Sequence, residues 1–225
     1  MVAAHASAAA CNTLQNATIM PVQYHESKCV KCRREGVKLF LKGEKCFTTK
    51  CPVARRPFAP GQHGPTARRP KVSVYGSQLR EKQKAKRIYG LTEAQFMGYV
   101  ERANRKVGDT GVMLQQMLET RLDNVVYRLG FAASRFDARQ KVSHCHMTVN
   151  GKSVNIPSYR VAVGDVIALD ATKFAAIKER VSKHQAPSWL ALDASAMSGK
   201  MVAIPGKTDF DTVFDTKMII EFYSR

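Results

Sequence analysis

Four of the six cysteines in this chain fall within one short segment, CVKCRREGVKLFLKGEKCFTTKC, which runs from Cys29 to Cys51. Their spacing is Cys29-x2-Cys32-x13-Cys46-x4-Cys51, so a loop joins two close pairs. Two such pairs can surround one tetrahedral ion, and residues 28–60 have too few apolar side chains to fold around a core of their own. The spacing therefore predicts one structural zinc ion held by all four thiolates. Free buried thiols and an iron–sulfur cluster remain as alternatives.

The chain is strongly basic, and the charge is unevenly distributed. The formal net charge is +18. Residues 20–90 hold 18 Lys+Arg against 4 Asp+Glu, whereas residues 91–225 hold 18 against 14. Charge of this size is typical of a protein with a polyanionic partner, which favours nucleic acid over an anionic membrane surface. No apolar run approaches the roughly 18 residues that span a bilayer, so no membrane partner is expected. The lysines and arginines around the cysteines are expected to lower the pKa of the thiols.

Residues 51–71, CPVARRPFAPGQHGPTARRPK, contain five prolines and two glycines. Proline fixes φ and removes a backbone donor, so this stretch is predicted to contain no helix and no central strand. Adjacent arginine pairs suit phosphate, because the planar guanidinium matches its geometry. The predicted nucleic-acid contacts of the basic arm, residues 26–75, are Arg33, Arg34, Arg55, Arg56, Gln62, His63, Arg68 and Arg69. For Gln62 and His63, packing against the backbone is an equal alternative.

Helical patterns begin near Gln78. The stretch SQLREKQKAKRIYG has mainly positive charges, which favours phosphate contacts over a purely solvated face; these residues are Arg80, Lys82, Lys84, Lys86 and Arg87. A second helix is predicted from Thr92, as its cap, to Lys106. Its buried face is predicted to consist of Phe96, Tyr99, Val100 and Ala103. A leucine-rich stripe predicts a third amphipathic helix over 113–129, which Gly130 ends.

The next segment predicts a small α+β module, residues 118–180. Ser134 can cap a helix, with Asp137 in its first turn. Asn150-Gly151 between MTV and KSVNI is typical of a hairpin with a type I′ turn, and VGDVIAL predicts a further strand. The order is therefore helix–helix–hairpin–strand. For the remainder we expect a helix near 174–184, a turn at 187–189 and a final strand, KMIIEFYS.

Several long motifs, in order, resemble the bacterial small-subunit ribosomal protein S-four family. They are CRREGVKLFLKGEKC, RRPFAPGQHG, YGSQLREKQKAKRIYG, LETRLDNVVYRLGFAASRFDARQKVSHCHMTVNGKSVNIPSYRVAVGDVI and the terminal EFYSR. One departure is His144-Cys145-His146, where the family usually has His-Gly-His.

The resemblance implies a direct contact with 16S ribosomal RNA, a role in nucleating small-subunit assembly, and an influence on translational accuracy. It implies neighbours of the S-five and S-three type and, in some members, repression of the protein's own messenger. It also implies zinc at the four matching cysteines. The expected place is the small subunit of a cytoplasmic ribosome, with an organelle stroma or matrix as the alternative.

The expected fold class is α+β: a helical domain with a zinc-stapled N-terminal basic arm and an inserted RNA-binding module. The expected divisions are 1–25, a disordered leader or an overextended gene start; 26–75, the arm; 76–117, the helical domain; 118–180, the module; and 181–225, a return to the helical domain. In the module, one helix face and the hairpin are predicted to contact RNA, although a solvated face is the plainer alternative. The residues are Arg135, Arg139, Lys141, His144 and Lys152.

The tripeptide Arg121-Leu122-Asp123 also occurs in RNA pseudouridine synthases, where the aspartate attacks the base. Here it lies between core leucines, and no catalytic domain accompanies it, so Asp123 is predicted to pair with a nearby arginine. No enzyme activity is expected. The alternatives to a ribosomal component are a protein that modifies or chaperones free RNA and a redox sensor built on the four thiols.

Overall fold

The computed structural model describes residues 27–66, 72–170, 177–210 and 213–224. They divide into two compact units. The helical unit consists of Tyr24–Leu118 and Gly206–Arg225, and the α+β unit consists of Glu119–Pro205. The predicted leader, and Arg68 and Arg69 of the arm, lie outside the described residues.

The described residues form nine helices, five strands and two short 3-10 turns. The helices are α1 (Lys28–Glu35), α2 (Pro52–Arg55), α3 (Val74–Tyr89), α4 (Glu93–Asn104), α5 (Thr110–Glu119), α6 (Leu122–Arg128), α7 (Arg135–Ser143), α8 (Ile177–Lys183) and α9 (Thr216–Tyr223). The strands are β1 (Met147–Val149), β2 (Lys152–Ser153), β3 (Val166–Leu169), β4 (Leu190–Asp193) and β5 (Ser198–Met201). The 3-10 turns are Gly43–Cys46 and Lys207–Asp209.

Helix α2 was not predicted. It is a single turn with Pro52 at its start, where the missing N–H of proline would have no helical partner in any case. The expectation that residues 51–71 contain no helix is therefore wrong for this one turn.

Helix α4 begins as the sequence predicts. The Thr92 hydroxyl accepts from the Gln95 N–H, and the Gln95 side chain accepts from the Thr92 N–H, which makes a reciprocal capping box. The four predicted apolar positions of this helix are all buried.

The C-terminal segment is a helix, α9, and the predicted final strand is wrong. Asp215 caps α9 by accepting from the Lys217 N–H. Helix α9 packs along α3, where the rings of Tyr75 and Phe222 lie 5.5 Å apart and the Gln78 amide donates to Glu221 at 2.9 Å. Isoleucine and aromatic residues favour strands locally, but packing against α3 outweighs that preference.

The α+β unit is organised by a five-stranded antiparallel sheet with the order β2-β1-β3-β5-β4. The predicted hairpin is confirmed: Val149 pairs with Lys152, and both turn residues have positive φ, 50° at Asn150 and 78° at Gly151. The cap at Ser134 is also confirmed, because its hydroxyl accepts from the Asp137 N–H. Local signals thus determine the start of α7 and the first hairpin.

The sheet extends beyond the segment that the sequence predicts for this module. Strands β4 and β5 pair with each other, and β5 pairs with β3, so the predicted limit at residue 180 omits two strands of the same sheet. Their residues join one core with α6 and α7, in which Trp189 is 2% exposed. In this core a Cβ added at Gly199 would lie 2.4 Å from a methyl carbon of Leu129, so the side chain of Leu129 occupies the space above that strand.

The helix predicted over 113–129 is broken in two. Arg121 is extended, with φ −66° and ψ 140°, and forms an isolated bridge with Arg160. The Leu122 N–H donates to the Tyr159 carbonyl at 2.8 Å, and the Val161 N–H donates to the Thr120 carbonyl at 3.0 Å. A distant segment therefore takes the backbone groups that a continuous helix would have used. Beyond the break, Gly130 ends α6 as predicted, with φ 81°.

None of the helices in the described ranges combines the length and the apolar character that crossing a membrane requires.

Candidate nucleic-acid interface

The four clustered cysteines line one small cavity in the helical unit. Cys29 and Cys32 lie on α1, Cys46 ends a 3-10 turn, and Cys51 precedes α2. The cavity has a volume of about 10 Å³, which is close to the space of one water-sized sphere, and its wall is otherwise largely apolar. The backbone N–H of Lys42 donates to Sγ of Cys46 at 3.4 Å. The fold thus brings together the four residues that the sequence singles out.

These thiols are not already arranged as metal ligands. Within the described ranges, no three histidine, cysteine or acidic side chains have that arrangement. Burial raises the pKa of the Cys32 thiol; the backbone N–H of Leu39 lowers it, and the neighbouring Cys46, Cys29 and Cys51 raise it further. The expectation that nearby lysines and arginines lower the thiol pKa is therefore wrong for Cys32, because burial dominates. Each of the other three thiols is thus close enough to Cys32 to influence its pKa.

Some of the cations predicted in the arm are exposed to solvent, and one, Arg33, makes hydrogen bonds within the arm. Arg33 donates to the carbonyls of Phe58 and Ala59 at 3.1 and 3.3 Å, and its guanidinium lies 4.9 Å from the centroid of the Phe58 ring. It therefore fastens α1 to the proline-rich loop, and its donors are partly used. The other predicted contacts that the structure describes in the arm are exposed: Arg34, Arg55, Arg56, Gln62 and His63.

The basic helix α3 is ion-paired along much of its length. Arg80 and Arg87 both donate to Glu35, whose carboxylate is fully buried, and Lys84 pairs with Glu81. Burial raises the pKa of Glu35, and the two arginines oppose that effect. One cation of this helix pairs within α3, and two neutralise a carboxylate from α1.

A second carboxylate, that of Glu93, forms ion pairs with the remaining two cations of α3, Lys82 and Lys86. Its two oxygens accept from Lys82 at 2.7 Å and from Lys86 at 2.8 Å, and Tyr223 also donates to it at 2.7 Å. Burial raises the pKa of Glu93, but these hydrogen bonds outweigh it and bring the pKa to about 2. Lys82 is only 6% exposed and lies 4.4 Å from the centroid of the Phe222 ring, so it offers little surface to RNA, and its RNA contact stays a prediction.

In the α+β unit, a buried carboxylate organises the start of the module. Glu119 is 1% exposed as a side chain and accepts two hydrogen bonds from Arg128, each at 3.0 Å, and one from the Asn124 amide at 2.6 Å. The side-chain amide oxygen of Asn124 accepts from Arg135 at 2.7 Å, and the Arg135 guanidinium lies 4.7 Å from the Tyr127 ring centroid. These contacts connect α6 to α7. Because 10% of its side chain is exposed, Arg135 acts mainly in this network and offers little surface to RNA.

Lys141 is likewise occupied inside the unit. Its ammonium donates to the Phe131 carbonyl at 2.8 Å and to Asp137 at 3.0 Å, and the residue is 8% exposed. Burial lowers the pKa of Lys141, whereas the Asp137 carboxylate raises it. Lys141 therefore offers little surface to RNA, and its RNA contact stays a prediction. The sequence shows the charge of this lysine but not the carbonyl that it satisfies.

The other predicted contacts of the module are accessible. His144 and Lys152 are exposed, and Arg139 is half-buried. Cations that sequence reasoning missed include Arg160 and Lys200 in this unit, and the arm lysines Lys42, Lys45 and Lys50, all exposed. The lysines that flank Cys46 could have been found from the charge pattern around the cysteines; Arg160 and Lys200 stand singly in the sequence and carry no such signal.

Asp123 has the structural role predicted for it. Its two carboxylate oxygens accept from Arg121 at 3.0 and 2.7 Å, and both side chains are nearly fully buried. An aspartate that is held in this way is not presented to a substrate.

Two family models match consecutive segments of the chain. The "Ribosomal protein S4/S9 N-terminal domain" matches residues 23–119, and the "S4 domain" matches residues 120–167. Curated relatives named "Small ribosomal subunit protein uS4" are 53% identical in Caldicellulosiruptor bescii and 52% identical in Heliobacterium modesticaldum. Each alignment covers 90% of this chain and 99% of the relative. The chain belongs to the ribosomal protein S4 family.

The family match and the two structural units share a boundary. The N-terminal domain match ends at residue 119, where the α+β unit begins, and the S4 domain match covers α6 to the start of β3. Cys145, where the resemblance leads us to expect the family's usual glycine, has φ 59°. Glycine adopts this left-handed region without steric cost, so Cys145 retains a glycine-like conformation despite its side chain.

Proposed function

We propose that this chain is a structural component of the small ribosomal subunit, where it binds 16S ribosomal RNA directly, nucleates subunit assembly and contributes to translational accuracy. The observation that carries the proposal is the similarity to relatives named small ribosomal subunit protein uS4 along 90% of the chain. The chain is then not an enzyme, and its place is the small subunit of a cytoplasmic ribosome. Contacts with proteins of the S-five and S-three type, and repression of its own messenger, stay predictions.

The exposed cations supply the contacts that this function requires. Arg34, Arg55 and Arg56 project from the arm in the helical unit, and Lys152 projects from the hairpin of the α+β unit. A-form RNA hides its base edges in a deep groove, so phosphate and shape recognition dominate. The partly buried arginines, such as Arg33 and Arg135, have a different role, because their contacts within the protein hold the surfaces that carry the exposed ones.

Cosedimentation tests the proposal directly. The chain should sediment with the small subunit in stoichiometric amount and should remain bound at high salt. A loose association that salt removes would instead support a protein that acts on free RNA.

Charge variants test which surface binds RNA. Arg55→Gln with Arg56→Gln removes two exposed arm cations, and we expect weaker binding to the 5′ domain of 16S RNA with a smaller salt dependence, by roughly 0.7–0.9 in the log–log slope for each lost phosphate contact. The matched control is Arg105→Gln with Lys106→Gln, an exposed adjacent pair in the same unit that is not part of the proposed surface. Equal effects from both pairs would contradict the assignment of the arm.

We infer further that Cys29, Cys32, Cys46 and Cys51 hold one structural zinc ion. Four thiols around one cavity form a suitable donor set, and with all four positions taken the ion supplies structure and no open coordination site. Because the four thiols are not already arranged as metal ligands, binding requires them to move into a tetrahedral arrangement. The ion would stabilise a segment with little core of its own, since structural zinc contributes roughly 10–16 kcal/mol of apparent folding free energy in small peptides.

Elemental analysis of the purified chain, together with Cys46→Ser, tests this inference. We expect one zinc per chain, lost in Cys46→Ser and kept in Cys11→Ser, which changes a cysteine outside the proposed set. Zinc retained in Cys46→Ser would refute the ligand assignment, and iron would indicate a cluster.

A further inference from the structure

The aromatic ring of Phe47 is held open to solvent on the arm. It is 71% exposed, compared with 51% for Tyr75 and 37% for Tyr159, the other exposed aromatic side chains in the described part of the chain. A single exposed apolar side chain is common on protein surfaces and needs no explanation on its own. Three further features distinguish this one.

First, Phe47 is stacked on a second ring. The centroids of Phe40 and Phe47 lie 5.0 Å apart, and the ring planes differ by 29°. Phe40 therefore covers part of the Phe47 ring and limits its movement, while most of the Phe47 surface stays exposed. An offset stack of this kind orients an aromatic surface toward solvent.

Second, the backbone at Phe40, the residue whose ring stacks on Phe47, is strained. Its φ is 50°, in the left-handed region that bulky side chains rarely adopt. Strain of this kind persists where the surrounding structure imposes it, and it concentrates at functional sites. Here the neighbours Leu39 and Leu41 are each 2% exposed, so both anchor the turn from below.

Third, the ring is fixed within a closed and basic turn. The Phe47 N–H donates to the Glu44 carbonyl at 3.0 Å, and the Cys51 N–H donates to the Thr48 carbonyl at 3.2 Å. The Thr48 hydroxyl donates to the Lys45 carbonyl at 3.0 Å. Three exposed lysines surround the ring in sequence, against the single exposed acid Glu44; they are Lys42, Lys45 and Lys50.

A rigid aromatic face beside several cations matches the chemistry of an unpaired nucleotide. Bases splayed out of single-stranded RNA stack on aromatic side chains, while nearby cations contact the flanking phosphates. We propose that Phe47 is a stacking platform for an unpaired base of ribosomal RNA, supported from below by Phe40 and flanked by the phosphate-binding lysines Lys42, Lys45 and Lys50. This inference rests on the proposed function, and it assigns one arm contact to a base.

The test compares Phe47→Leu with F47W and F47Y for binding to a transcript of the 5′ domain of 16S RNA. A leucine keeps an apolar side chain but removes the π-face, and the loss expected per stacked base corresponds to roughly 5- to 150-fold in affinity. We expect Phe47→Leu to weaken binding on the order of tenfold, and F47W and F47Y to retain it. The salt dependence should stay unchanged in Phe47→Leu, because no charge is lost, but should decrease in Lys45→Gln.

A second readout separates stacking from other contacts. The indole introduced by F47W should lose fluorescence when the transcript binds but not when a fully paired RNA duplex is added. The native Trp189 is 2% exposed, so it contributes a constant background. Circular dichroism and metal content of each variant show that the arm remains folded.

The outcomes distinguish this inference from the function on which it rests. If the unaltered chain does not bind the transcript, the proposed function fails. If it binds, and Phe47→Leu binds equally well, the stacking platform is refuted while the function stands. A defect that appears only when neighbouring ribosomal proteins are present would also refute the platform, since it would assign the ring to a protein contact.

Discussion

Glu119→Gln changes the volume of the side chain very little, yet it should lower the unfolding free energy of the α+β unit markedly. The side chain keeps its volume, but one of two hydrogen-bond-accepting oxygens becomes a donor that faces donors of Arg128 or Asn124. Breaking a buried ion pair by removing one partner costs about 3–5 kcal/mol. Arg128 retains 17% side-chain exposure, so water compensates in part, and we expect a loss of about 3 kcal/mol.

Urea unfolding measures this loss, because the single tryptophan of the chain lies in the core of that unit. The midpoint of the Trp189 fluorescence transition should fall while the m-value stays constant, since the surface exposed on unfolding is unchanged. The matched control is Glu179→Gln, the same change at an exposed position of α8, for which we expect a change within about 0.5 kcal/mol. A loss below about 1 kcal/mol in Glu119→Gln would refute the assignment of Glu119 as the organising charge.

Four further substitutions test other parts of the fold. The pKa of Glu93 is lowered to about 2, so the stability that its carboxylate contributes is present above the ordinary carboxyl pKa near 4.5 and is lost as pH falls toward 2. Its side chain is 45% exposed, so solvent weakens the effect. Over that pH range, urea titration should show a difference in unfolding free energy of only about 1 kcal/mol between the unaltered chain and Glu93→Gln. Gly199→Ala places a Cβ 2.4 Å from Leu129 and should lower the unfolding free energy by about 1–3 kcal/mol. Gly98→Ala has open space at a helical position and should raise the unfolding free energy by roughly 0.5–1 kcal/mol. If thermal unfolding finds Gly199→Ala to be the more stable of the two, the described packing is wrong. Gly151→Ala meets no atom within 4 Å but has φ 78°, so a cost of about 1 kcal/mol should come from the backbone alone, and no cost would show that the turn adapts.

The sequence predicts those features of the fold that nearby residues determine. Thr92 and Ser134 cap helices because each hydroxyl meets an N–H three residues further along the chain. Asn150 and Gly151 form the turn because both tolerate positive φ. In each case the cause and the effect lie within a few residues, so a local pattern is sufficient evidence.

Other features depend on partners that are far away in the sequence. The break between α5 and α6 follows from bonds to residues 157–161, and the helical state of the C-terminus follows from packing on α3. The site has the same limit. The charge pattern predicts phosphate contacts for Lys82 and Lys141. In the structure, however, the Lys82 ammonium donates to Glu93 and the Lys141 ammonium donates to the Phe131 carbonyl, and both lie inside the protein. Periodicity and charge alone do not identify these distant partners.

The helical unit is made of two segments of the chain, separated by the whole α+β unit, and this order affects folding during synthesis on the ribosome. Residues 119–205 form the α+β unit as one continuous segment, so that unit can close its core as soon as β5 has emerged. The helical unit, begun earlier, must wait for α9, because Phe222 and Glu221 pack against α3 residues made almost 150 positions before them. The α+β unit is therefore completed before the helical unit, and the nascent chain presents its hairpin to RNA while α3 still lacks α9 as a partner.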